Sequence, residues 1–73
     1  MKVIKVKDRL KIGKNTSVII DDNGKELKNG MGVLDADGNP YVILSIGMNS
    51  IKGSMDTTTL LLEGDFDSDK IFV

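Results

Sequence analysis

Apolar and polar residues alternate cleanly at the start of the chain. The even positions from Ile4 to Ile12 read Ile, Val, Asp, Leu, Ile, and the odd positions from Val3 to Lys11 read Val, Lys, Lys, Arg, Lys. Successive side chains of a strand point to opposite faces, so a strand here sorts into an apolar face and a basic face. Further apolar runs follow at the β-branched Val18-Ile19-Ile20 and at Met31-Gly32-Val33-Leu34, Tyr41-Val42-Ile43-Leu44 and Leu60-Leu61-Leu62. Turn signals separate them: Gly13-Lys14-Asn15, Asp22-Asn23-Gly24, Asn29-Gly30, Asp37-Gly38-Asn39-Pro40 and Gly64. Asn-Gly and Asp-Gly suit turns because both members tolerate positive φ. Pro40 suits the first position of a strand, where a missing N–H is harmless.

The pattern predicts six short strands, over residues 3–12, 16–21, 31–36, 40–48, 57–63 and 69–73. Short strands at this spacing predict an all-β fold, a small six-stranded antiparallel closed barrel. Strict alternation puts Ile4, Val6, Leu10, Ile12, Val18, Ile20, Val33, Val42, Leu44, Ile46, Leu60, Leu62 and Ile71 inside. In the fourth strand Val42, Leu44, Ile46 and Met48 share the inner face, opposite Tyr41, Ile43, Ser45 and Gly47. Residues 47–56 form the one longer connection, with Met48, Ile51 and Met55 expected to fold back onto the barrel.

A chain of 73 residues makes a single domain, residues 1–73. Its small core leaves little room for a deep enclosed site, which favours a binding module over an enzyme. With no cysteine and no histidine, disulfides, thiol chemistry, zinc sites and imidazole catalysis are out of reach. No signal-peptide pattern and no membrane-length apolar run is present, so a cytoplasmic location is expected.

Net charge is −1 but unevenly spread. Residues 1–14 hold six bases and one acid, and residues 56–73 hold five acids and one lysine. Lys5, Lys7, Arg9 and Lys11 are expected to project from one strand face at about 7 Å intervals, near the phosphate repeat of a nucleic-acid strand. They are the candidate surface for an anionic partner. Tyr41, Phe66 and Phe72 are the only aromatics, too few for a base-stacking platform.

Two other motifs fail on spacing. Gly13-Lys14-Asn15-Thr16 ends like a phosphate-binding loop, but Asp8 stands where that loop needs its first glycine, and a strand follows instead of a helix. Asp65-Phe66-Asp67-Ser68-Asp69 opens like a calcium loop, but Lys70 holds the position that needs glycine. The turn carboxylates Asp21, Asp22, Asp35 and Asp37 read as partners of nearby backbone N–H groups. No catalytic set, metal site or cofactor is expected.

The order of these segments resembles the second, β-barrel domain of elongation factor Tu and related translational GTPases. Leu10-Lys11-Ile12-Gly13-Lys14-Asn15-Thr16-Ser17-Val18 is similar to the family's Phe-Lys-Ile, Gly-Arg-Gly-Thr, Val-Val segment. Lys25 to Val33 is similar to its Gly, Ile-Lys-Val-Gly-Asp, Val stretch, and Asp37-Gly38 through Met48 to the strand that enters its long loop. Ser54 to Gly64 and Asp69-Lys70-Ile71 follow its Ala-Gly-Asp-Asn, Val-Gly-Leu-Leu-Leu-Arg-Gly segment and its acidic-Ile ending, with Glu63 in place of the arginine.

The resemblance implies a six-stranded barrel and a non-catalytic binding module whose partner is a protein or an RNA–protein assembly. Neither DNA nor a membrane is expected as partner. The alternative is a structural or protein-interaction domain that acts through edge strands or self-association, with no nucleic-acid role.

Overall fold

The computed structural model describes residues 2–22, 24–49 and 57–73. The expected loop lies largely outside them, as do the side chains of Met48, Ile51 and Met55. The strands are β1 (Val3–Ile12), β2 (Asn15–Ile20), β3 (Gly32–Leu34), β4 (Pro40–Asn49), β5 (Thr57–Glu63) and β6 (Lys70–Phe72). They form a closed antiparallel barrel in the order β1-β2-β5-β4-β3-β6. Among the described residues no helix is long and apolar enough to cross a membrane.

Two long strands close the barrel by bending. The first half of β1 pairs with β6 (Ile4 with Ile71, Lys5 with Lys70), and its second half pairs with β2 (Arg9 with Val18, Lys11 with Thr16). β4 behaves alike, pairing first with β3 (Tyr41 with Val33) and then with β5 (Ile46 with Leu60). In each the register shifts by one residue at the bend, between Val6 and Asp8 and between Ile43 and Ser45. A bulge sets two residues against one and sharpens the local bend, so a single strand serves two sheets. Ten-residue strands are long enough to be shared in this way.

The bulges also reverse the alternation. Directly paired residues share a face, and Val18 and Thr16 face inward. Arg9 and Lys11 therefore turn to the inner side, while Leu10 and Ile12 stand outside with Ser17 and Asn15. In β4, Ile43 enters the core beside Leu62, and Val42 and the bulged Leu44 are exposed. Four expected core residues, Leu10, Ile12, Val42 and Leu44, are thus on the surface, and Ile46 is half-buried. The remaining eight are buried as expected.

Three buried apolar residues were not in that expectation: Ile43, Leu27 and Phe66. Leu27 and Phe66 come from connections, and each closes one end of the barrel. The two ends share a device on the β2–β5 ladder. At one end the buried Thr16 hydroxyl donates to Gly64 O (2.8 Å) and accepts from Phe66 N (3.0 Å). Phe66 then meets Tyr41 edge to face, with centroids 5.1 Å apart.

At the other end the buried Thr58 hydroxyl donates to Asp22 O (2.7 Å). Gly24 N donates to the Asp22 carboxylate (2.9 Å) beside it. Gly24 has φ 72, and a Cβ there would lie 2.9 Å from Thr58 Cγ2, so only glycine fits. The β1–β2 turn is Gly13-Lys14, with positive φ at Gly13 alone, as a type II′ hairpin requires. Backbone N–H groups of Lys2 and Val73 donate to each other's carbonyls (2.7 and 2.9 Å), bringing residues 2 and 73 side by side.

Candidate basic surface

The four cations singled out from the alternation are all exposed, but they do not form one row. The bulge divides them. Arg9 and Lys11 lie on the inner side of β1, over the segment that precedes β6. Arg9 Nη1 donates to Ser68 O (2.8 Å), and Arg9 Nη2 lies 3.3 Å from an Asp67 carboxylate oxygen. Lys11 Nζ lies 3.2 Å from Asp65. The acidic stretch that looked like the opening of a calcium loop supplies both ion-pair partners. Among the described residues no cluster of three or more potential metal ligands occurs.

Lys5 and Lys7 remain outside, and the fold adds a third cation. Lys5 stands directly opposite Lys70 on β6. Lys2 and Val73 exchange both of their backbone hydrogen bonds, and Val6 N donates to Asp69 O. Ladder alternation then makes Lys5–Lys70 a close pair, with Cα atoms about 4.5 Å apart. Like charges directly opposite are unfavourable in a sheet. Among the described residues no carboxylate lies within ion-pair distance of Lys5, Lys7 or Lys70. Lys70 gave no signal in the sequence because it sits within the acidic last third of the chain, and only the β1–β6 register brings it to Lys5.

Other charged groups near the site have structural partners. Lys2 pairs with Asp22 (3.1 Å) and Glu26 (3.5 Å), just before β1. The hydrogen bond that Lys2 donates to the Asp22 carboxylate is the main cause holding its ammonium pKa above the usual value. Burial pushes the Asp22 carboxyl up, but the Gly24 N–H and Lys2 outweigh it and leave it below the usual aspartate value.

Asp35 caps the β3–β4 turn, accepting from Asp37 N, Asn39 N and Asn39 Nδ2 at 2.9, 2.9 and 3.1 Å. Burial again pushes the carboxyl up, and these donors with the Tyr41 hydroxyl bring it below its usual value. Burial raises the Tyr41 hydroxyl, helped by Asp35, Asp65 and Asp67 nearby. Asp35 and Asp22 are thus turn carboxylates bonded to local backbone N–H groups.

No pocket opens among the described residues. The basic surface is convex and offers ammonium groups as point charges, chemistry suited to phosphate or carboxylate oxygens at a surface. Comparison with family models, curated proteins and solved structures yields no match to this chain.

Proposed function

We propose that this chain is a non-catalytic binding module, a β-barrel resembling that of the translation factors, which contacts phosphates of an RNA–protein assembly through Lys5, Lys7 and Lys70. The observation that carries this reading is the Lys5–Lys70 cross-strand pair. Two lysines stand directly opposite each other on one side of a sheet, with no acid in ion-pair contact with them among the described residues. Such a pair costs the folded chain stability, and a bound anion relieves it. The scarcity of aromatics fits recognition of backbone charge rather than of bases.

Fluorescence anisotropy with a labelled structured RNA, at low and at moderate salt, tests the proposal. Micromolar protein should bind, with log K falling against log salt at a slope of about 2–3 for three phosphate contacts. Lys5→Glu with Lys70→Glu should abolish the signal. Arg9→Gln should leave it intact, because Arg9 is engaged by Ser68 and Asp67. Absence of salt-sensitive binding, or loss through Arg9 instead, would overturn the proposal.

A further inference from the structure

Beyond its bulge β1 joins β2, β5 and the second half of β4 in one four-stranded face. Its outer side carries an apolar pair on β1, beside the polar Ser17 and Asn15 of β2. Leu10 is 65% exposed and Ile12 52%. Leu10 is opposite Ser17, which is opposite the half-buried Leu61, and Ile19 lies in the next row. Exposed Leu44 stands at the bulge of β4. Charges of both signs ring the apolar pair. Lys7 and Asp8 lie at the bulge, Lys14 at the turn, and Glu63 across from Asn15. Among the described residues the ring is balanced, two cations against two anions.

We infer that this face receives a second copy of the same chain, the two barrels stacking face to face about a two-fold axis that passes beside Lys11. A two-fold contact must be complementary to itself, and a balanced ring meets that condition where a one-signed ring would repel. With the β1 strands antiparallel, such an axis sets Leu10 of each copy on Ile12 of the other. The same axis brings Lys14 of each copy over Asp8 of the other. Sheets packed in this way lie about 10 Å apart, the spacing of a sandwich core. Four strands make the face only about 15 Å wide, so the dimer is a weak, concentration-dependent one. Lys5 and Lys70 lie on β1's other half and β6, outside the contact, and Lys7 borders both surfaces. The contact is argued from Leu10, Ile12, Asp8 and Lys14, so the inference does not rest on the proposed RNA role.

Sedimentation equilibrium from micromolar to millimolar protein is the test, with a thermal melt on each variant. The expected result is a monomer–dimer equilibrium that Leu10→Lys weakens by at least about tenfold without lowering the melting temperature, since this side chain is largely in water. Asp8→Lys and Lys14→Asp should each weaken self-association about threefold, and an equimolar mixture of the two should recover it as a heterodimer. A chain that stays monomeric throughout overturns the inference, as does association that survives Leu10→Lys or a mixture no tighter than its components.

Discussion

Before its bulge, β1 sends Ile4 and Val6 into the core and leaves Lys5 in water. Beyond it, the same strand turns Arg9 and Lys11 to the inner side and leaves Leu10 and Ile12 outside. The two halves carry the same apolar–basic alternation, so the difference lies in one inserted residue and in what each half covers. The first half lies over the hydrocarbon centre of the barrel, where a cation would be stranded. The second half overhangs the end plugged by the 64–68 segment, where carbonyl and carboxylate oxygens await cations. The bulge turns a strand that could only be a wall into one that is half wall and half clamp.

The largest effect separating the halves is on stability. Ile4→Ala should cost about 2–5 kcal/mol in urea denaturation followed by circular dichroism, because Ile4 is 3% exposed. Leu10→Ala should stay within about 0.5 kcal/mol. Equal costs would mean that the phase reversal is wrong.

Acid attacks two turn carboxylates, one of them paired with Lys2 just before the first half. Asp22 and Asp35 have folded pKa values below their unfolded ones, so their contribution is complete above the ordinary aspartate value of about 4 and is lost as pH falls through the folded values. Stability should be flat from neutral pH down to about 5 and then decline. In Asp22→Asn the decline should be shallower, as a pH series of urea midpoints will read.

The clamp of the second half is weaker. Arg9→Met should cost about 1 kcal/mol through the lost bond to Ser68 O. Lys11→Met, which removes a pair to an exposed aspartate, should cost less than about 0.5 kcal/mol, and less again at high salt. One further change, of similar size, has the opposite sign. Lys5→Glu should raise stability by about 0.2–1 kcal/mol by setting an acid against Lys70, while removing any anion contact. A destabilising result would show that Lys5 and Lys70 do not oppose each other in solution.

The strand count, the antiparallel barrel and eight of the core residues could be read from alternation and turn chemistry, because both are local. The register could not. Nothing in Val6-Lys7-Asp8 or Ile43-Leu44-Ser45 marks a bulge, and one extra residue inverts every face that follows it. That inversion put Leu10 and Ile12 on the wrong side and made four cations look like one row, and in β4 an alternation in phase with Ile46, carried back across the bulge, misplaced Val42 and Leu44. Leu27 and Phe66 were missed for a different reason: each is a lone apolar residue in a turn-rich connection, with no period to reveal it. The candidate site was half legible. Lys5 and Lys7 follow from alternation, but Lys70 joins them only through a pairing between residues far apart in the sequence.

The mutual hydrogen bonds of Lys2 and Val73 make the backbone almost a ring. A peptide of a few residues could bridge that gap, and a new start could be cut at the exposed turn around Gly38. The strand order around the barrel would be unchanged, because every neighbour would keep its neighbour. Any passenger fused at residue 2 and any fused at residue 73 would emerge together, on the side where β1 and β6 begin their shared edge, well away from the Gly13–Lys14 tip.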